Sequence, residues 1–250
     1  MKRNETKFEH YTSEEILQIQ IDLYNCLVYF TGDADAGHQL TFQTSIKEWR
    51  EISDLDKPIS LAKYYHSYFN MDTDLSELIN LFSNEDNTLG MLCNYIADNS
   101  IKTTITPVVS LGSLCLEAAI FKTLKNELEK EGIDTTDFKP STNFVAFFLK
   151  YTDEIVSIVS KLAPGTLVYY KYKSTFIGKL SASLLLLSII TPITMAVFYH
   201  ITWHIIPLFA VTIIVMLISN KLEKSNQYDI SGYRTVRDLV IGMKKRMDIK

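Results

Sequence analysis

The stretch FYHITWHIIP, Phe198 to Pro207, holds a pair of metal-type ligands at chemically useful spacing. His200 and His204 stand four apart, and on a helix that sets both imidazoles on one face, as in many zinc sites. A structural zinc site needs four ligands, yet no Cys, Asp or Glu lies between Leu180 and Asn220. Three readings stay open: a belt at a membrane–water interface with Tyr199 and Trp203, a ring of histidines at a pore mouth, and a metal shared between subunits. The residues favour the belt, so no metal and no cofactor is expected.

The elements that would position these histidines are apolar. From Leu180 to Asn220 there is no Asp, Glu, Lys or Arg, a run long enough for two membrane spans of ~20 residues each. A helix over Ser181–Tyr199 would reach ~28 Å at ~1.5 Å per residue, and a second would run from Ile205 to Asn220. Pro192 predicts a kink in the first, and Pro207 suits the first turn of the second. Ser183, Ser188, Thr191 and Thr194 are the polar groups that could line a pore, together with His200 and His204. One hairpin cannot enclose a water path, so a pore requires a homo-oligomer, with a tetramer as the working number. Lys171, Lys173 and Lys179 precede the spans, eight Lys and Arg follow them, and the connecting turn has none. The positive-inside rule then makes both termini cytoplasmic in a multi-pass membrane protein.

The rest of the chain has a different character. Residues 1–170 carry 14 Lys and Arg against 25 Asp and Glu, a net −11, whereas residues 171–250 carry 11 against 4, a net +7. An acidic front half is poor ground for a general nucleic-acid binder, which needs clustered cations. Three dispersed cysteines, Cys26, Cys93 and Cys115, form no CxxC and read as packing on apolar helix faces in a reducing compartment. The polar opening MKRNETKFEH lacks a signal-peptide core, so no cleaved leader is expected.

Helical signals dominate this front half. Thr12 with Glu15 is a capping-box pattern, followed by Ile16, Ile19, Leu23, Cys26, Leu27 and Phe30 at helical spacing. Shorter helices are predicted around Phe42–Ile52, Ser60–Phe69, Asp74–Phe82 and Thr88–Asp98. TPVVSLGSLCLEAAIFKTLKNELEKEG reads as one long helix with Pro107 near its start and Gly132 past its end, and STNFVAFFLKYTDEIVSIVSKLAPG as another, stopped by Pro164 and Gly165. No alternating strand run stands out. The expected fold is mainly α: a cytosolic α-helical domain over 1–165, a juxtamembrane linker helix over 166–179, a transmembrane hairpin over 180–220 and a basic amphipathic tail over 221–250. The linker GTLVYYKYKSTFIGKL reads either as a rigid lever into the first span or as an interfacial anchor. The tail sets Val236, Leu239, Val240 and Met243 on one side, for an anionic leaflet, the helical domain or a neighbouring subunit.

Enzymatic patterns are sparse. GDADAGH offers Asp33, Asp35 and His38, but Thr44 stands where a calcium loop needs its twelfth-position acid. Asp72, Asp74 and Glu77 read as acids at a helix start. KYYHSYF, Lys63–Phe69, mixes a base with aromatics that could stack a nucleotide, and reads more simply as an amphipathic turn of helix. No P-loop, GxSxG, HExxH or Rossmann glycine pattern is present. A non-enzyme is therefore expected.

The domain-plus-hairpin layout, with the spans LSASLLLLSIITPITMAVFY and IIPLFAVTIIVMLISN, resembles small two-transmembrane effectors of bacterial anti-phage defence, among them the Hailong-type nucleic-acid-gated channel effectors. The resemblance implies a homo-oligomeric channel in the inner membrane, toxic when opened. It also implies a nucleotide or single-stranded DNA ligand, made by a partner nucleotidyltransferase, that holds the channel shut. Lys171, Lys173 and Lys179 are the ligand-binding candidates, as a basic ring near the membrane. The alternative expectation is a non-conducting, membrane-anchored interaction protein, with a membrane-tethered enzyme behind it.

Overall fold

In a computed structural model of the chain, the described residues are 9–31, 36–55, 57–105, 108–110, 113–172 and 228–248. They are mainly helical. Helix α1 (Ser13–Cys26) opens with the expected capping box: the Thr12 hydroxyl accepts the Glu15 N–H at 3.2 Å, and Glu15 Oε2 accepts the Thr12 N–H at 3.0 Å. It runs directly into a π-helical turn, Leu27–Thr31. Then come α2 (Ile46–Ile52), α3 (Pro58–Tyr68), α4 (Leu75–Ser83) and α5 (Leu89–Asn99). Ser45, Asp74 and Thr88 cap α2, α4 and α5 through their side chains. Pro58 starts α3, in the first turn, where its missing N–H would have had no intrahelical partner.

Two of the long predicted helices are corrected. Within the first, Val108–Ser110 (β1) and Ser113–Cys115 (β2) pair antiparallel, and only Leu116–Lys130 (α6) is helical. The β-branched pair Val108–Val109 favours that extended start. Cys115 accordingly stands at the N-cap of α6 and not on a helix face. The second splits at Tyr151 (φ −136°, ψ 48°) into α7 (Phe144–Lys150) and α8 (Thr152–Leu162). No Pro or Gly marks that break. In the segment expected as a linker helix, Tyr170–Tyr172 is strand β3, paired with β4 (Tyr228–Ile230). Helix α9 (Val236–Asp248) follows.

The chain divides into two units, residues 1–170 with 230–250, and residues 171–229. In the first, α1 packs on α5 and α8, α3 on α4, and α6 on α8 and α9. Ile16, Ile19, Trp49, Tyr65, Phe69, Leu78, Phe82, Leu92 and Ile96 share one buried cluster. Val236, Leu239, Val240 and Met243, the apolar side of the tail, are all buried. The tail helix therefore closes the first unit against α6. Across the excursion, the Ser231 N–H donates to the Tyr169 carbonyl at 2.9 Å and the Tyr169 N–H to Ser231 Oγ at 3.2 Å. Of the second unit the described part is Lys171, Tyr172, Tyr228 and Asp229 in the β3–β4 pair.

Among the described residues no helix is long and apolar enough to cross a membrane. The longest, α6, has 15 residues, ~22 Å against a hydrocarbon core of ~30 Å, and it carries Glu117, Lys122, Lys125, Glu127, Glu129 and Lys130. The expectations of a transmembrane ion channel and of a multi-pass inner-membrane location are corrected on that finding. The hairpin proposed over residues 180–220 itself lies outside the described residues.

Candidate functional site

The residues singled out by their chemistry divide sharply. Ser183, Ser188, Thr191, Thr194, His200, His204, Lys173 and Lys179 lie outside the described residues. Lys171 is exposed on β3. Asp33 and Asp35 are outside as well, and His38 is an exposed loop residue. Asp74 caps α4 by accepting the Ser76 N–H at 2.9 Å, which holds its carboxyl below the usual range. No group of three or more His, Cys, Asp or Glu among the described residues could hold a metal.

A site does form where four helices meet. A cavity of about 390 Å³ is lined from α1 by Gln20, Leu23 and Tyr24, at the helical spacing of one face, with Cys26 and Leu27 completing the wall. Helix α2 supplies Trp49, and Ser53 and Leu55 follow it. Leu61, Tyr64 and Tyr65 come from α3, and Asp153 and Val156 from α8. The volume and the apolar, aromatic lining are those of a small-molecule site. The π-helical turn begins at Leu27 on its wall; such turns recur at functional positions because they displace side chains from the regular helical register.

Local geometry fixes each wall. Trp49 stacks on Phe82 at 6.0 Å and meets Tyr65 edge-on at 6.0 Å. The loop carrying Ser53 and Leu55 is held by a reciprocal pair: the Leu55 N–H donates to the Arg50 carbonyl, and Arg50 Nε donates to the Leu55 carbonyl, each at 2.9 Å. Asp54 between them has φ 51°, a left-handed conformation that Asp tolerates better than most residues.

Polar groups in the wall are few and specific. Gln20 is 1 % exposed and Ser53 3 %, and neither Gln20 Nε2 nor Ser53 Oγ has a hydrogen-bond partner among the described residues. The Tyr65 hydroxyl donates to Gln20 Oε1. That bond orients the amide, since reversing it would leave the buried Tyr65 proton without an acceptor. An unmet buried donor costs ~1–3 kcal/mol, so both weigh on the stability of this part of the fold. Tyr64, 48 % exposed, stands at the mouth beside exposed Asp153. Burial, and secondarily the Asp153 charge, push the Cys26 thiol and the Tyr64 phenol each up to about 12. Cys26 is thereby a neutral thiol and a poor nucleophile at neutral pH. Among the described residues no Lys or Arg lines the cavity.

On another part of α1, Asp22 is fully buried. Its Oδ2 accepts the Gly165 N–H at 2.8 Å, and its Oδ1 accepts from Gln18 Nε2 at 3.0 Å. Gly165 has φ +78°, and an added Cβ would stand 3.2 Å from the Gln18 side chain, so the turn after α8 requires glycine. Burial raises the Asp22 carboxyl to about 6, against the lowering effect of Gly165, Gln18, Ser160 and the charge of Arg246.

The cavity went unread in the sequence for a definite reason. KYYHSYF was legible as aromatic, but the fold separates its rings: Tyr65, Tyr68 and Phe69 are core, and Tyr64 alone is exposed at the cavity mouth. The available signal was Gln20, a polar residue inside the apolar stripe of α1. No protein-family model, curated protein or solved structure matches this chain.

Proposed function

We propose that the helical unit is a binding module whose cavity between α1, α2, α3 and α8 takes a small apolar ligand. The observation that carries this reading is the 390 Å³ space walled by Trp49, Tyr64, Tyr65, Tyr24 and aliphatic side chains. Such a role belongs with sensing or interaction and not with catalysis, because the groups at the wall that titrate are a raised thiol, raised phenols and one rim carboxylate. A nucleotide or DNA strand fits this cavity poorly, since its phosphates would meet Asp153 and, among the described lining residues, no cation.

The test is thermal unfolding with and without 2-methylnaphthalene, an uncharged fused-ring probe. A ligand at ~10 times its Kd adds ~1.4 kcal/mol, which raises the midpoint of a chain this size by about 3–6 °C. Leu23→Trp places extra volume at the wall and is expected to abolish the shift while the helical circular dichroism is retained. An unshifted native midpoint, or an equal shift in Leu23→Trp, would overturn the reading.

A further inference from the structure

We infer that the cavity takes a cationic amphiphile: an apolar, ring-sized body held between the helices, with a protonated amine left at the mouth against Asp153. This rests on the binding reading above and adds the charge class of the ligand. Asp153 is the one formally charged residue among the described lining residues, and it is negative. It stands in the first turn of α8, where the helix dipole favours the ionised carboxylate. Among the described residues no Lys, Arg or His forms an ion pair with it.

The charge of Asp153 acts on the cavity and not only on the solvent outside it. After burial, it is the next cause that raises the Cys26 thiol on the wall and the Tyr64 phenol at the mouth. A field that disfavours a thiolate and a phenolate at those positions favours a cation near them, by the same Coulomb energy with its sign reversed. Exposure decides where that cation sits. Asp153 and Tyr64 are both exposed, whereas Trp49 and Tyr65 are buried. An ammonium at the mouth keeps water on one side and escapes the cost of burying a charge, while its ring reaches the aromatic wall. The Tyr64 ring adds a cation–π partner next to the carboxylate. A ligand carboxylate would meet the same field as repulsion.

The experiment compares four probes of one shape: 2-methylnaphthalene, 2-naphthalenemethanol, 2-naphthylmethylamine and 2-naphthoate. Each is titrated into the full chain at pH 7, where the amine is protonated, and followed by ligand-observed NMR. The amine is expected to bind about three- to tenfold tighter than the alcohol, the size of an exposed ion pair together with one cation–π contact. The naphthoate is expected to bind most weakly. Asp153→Asn should bring amine and alcohol within about twofold of each other and leave the hydrocarbon unchanged. It keeps the other acids of residues 1–170, which carry a net −11, so general attraction of cations survives in the variant. A second readout needs no variant: in the native chain, raising NaCl from ~20 mM to ~0.5 M should shrink the amine's advantage, because the mouth is open to screening. An amine that binds no tighter than the alcohol, or whose advantage persists in Asp153→Asn or is unmoved by salt, overturns this inference. The cavity reading stands in each of those cases as long as the hydrocarbon binds. Binding of none of the four overturns the cavity reading, and the inference with it.

Discussion

Replacing Asp22 with Asn should make the fold more stable at neutral pH, although it removes a charged partner of two hydrogen bonds. In the folded chain the carboxyl is fully buried and holds its proton up to about pH 6, whereas an Asp in the unfolded chain releases it near 3.8. Between those values the folded state binds more protons than the unfolded one, so stability falls as pH rises. The contribution is fully present below 3.8, is lost through the folded value of about 6, and is flat beyond it. At ~1.4 kcal/mol per pH unit the span amounts to ~3 kcal/mol. Asn keeps a carbonyl for the Gly165 N–H, and its amide can donate to Gln18 once that side chain turns its oxygen inward. Urea unfolding at pH 4, 5, 6 and 7.5 reads the effect as the difference between native and variant. That subtraction removes the opposite trend of Asp74, Asp134 and Asp238, whose carboxyls are held low and whose stabilisation is lost as pH falls. Expected is a variant close to native at pH 4 and up to ~3 kcal/mol more stable at pH 7.5. A difference that stays flat, or a variant weakened most at pH 7.5, would mean that ionised Asp22 holds the Gly165 turn and would refute the reasoning.

Other outcomes are equally checkable. Lys102 Nζ lies 2.5 Å from buried Glu15, so Lys102→Met should cost ~3 kcal/mol in urea unfolding, whereas Lys47→Met, at an exposed pair with Glu85, should leave the midpoint unchanged. Met243→Ala, in a fully buried position of α9, should cost ~2–4 kcal/mol and show whether the tail helix belongs to the same cooperative unit as α6. Cys26 and Cys93, both buried with thiols pushed up to about 12, should resist a disulfide reagent at pH 8 in the folded chain and react once urea is added.

Local chemistry was the legible part of this chain. Thr12 and Glu15 announce the start of α1 because a capping box is complete within four residues. The apolar side of the tail was equally plain at Val236, Leu239, Val240 and Met243, but a stripe does not say what covers it, and here it is the packing with α6. The break at Tyr151 was hidden because the apolar period continues from α7 into α8 with no Pro or Gly between. The β1–β2 hairpin was absorbed into a helix because three-residue strands are too short to show alternation. The cavity was illegible for a different reason: Gln20, Trp49, Tyr64 and Asp153 converge only through tertiary packing of four helices. The membrane expectation came from hydropathy over residues 180–220, while the helices that are described are short and charged.

The bonds between Tyr169 and Ser231 make residues 171–229 an insertion that leaves the helical unit and re-enters it at one point. Holding together two chain positions about 60 residues apart costs ~3–4 kcal/mol of chain entropy. A linker of a few residues in place of 171–229 lowers that cost by polymer statistics, and should tighten the closure of α9 on α6.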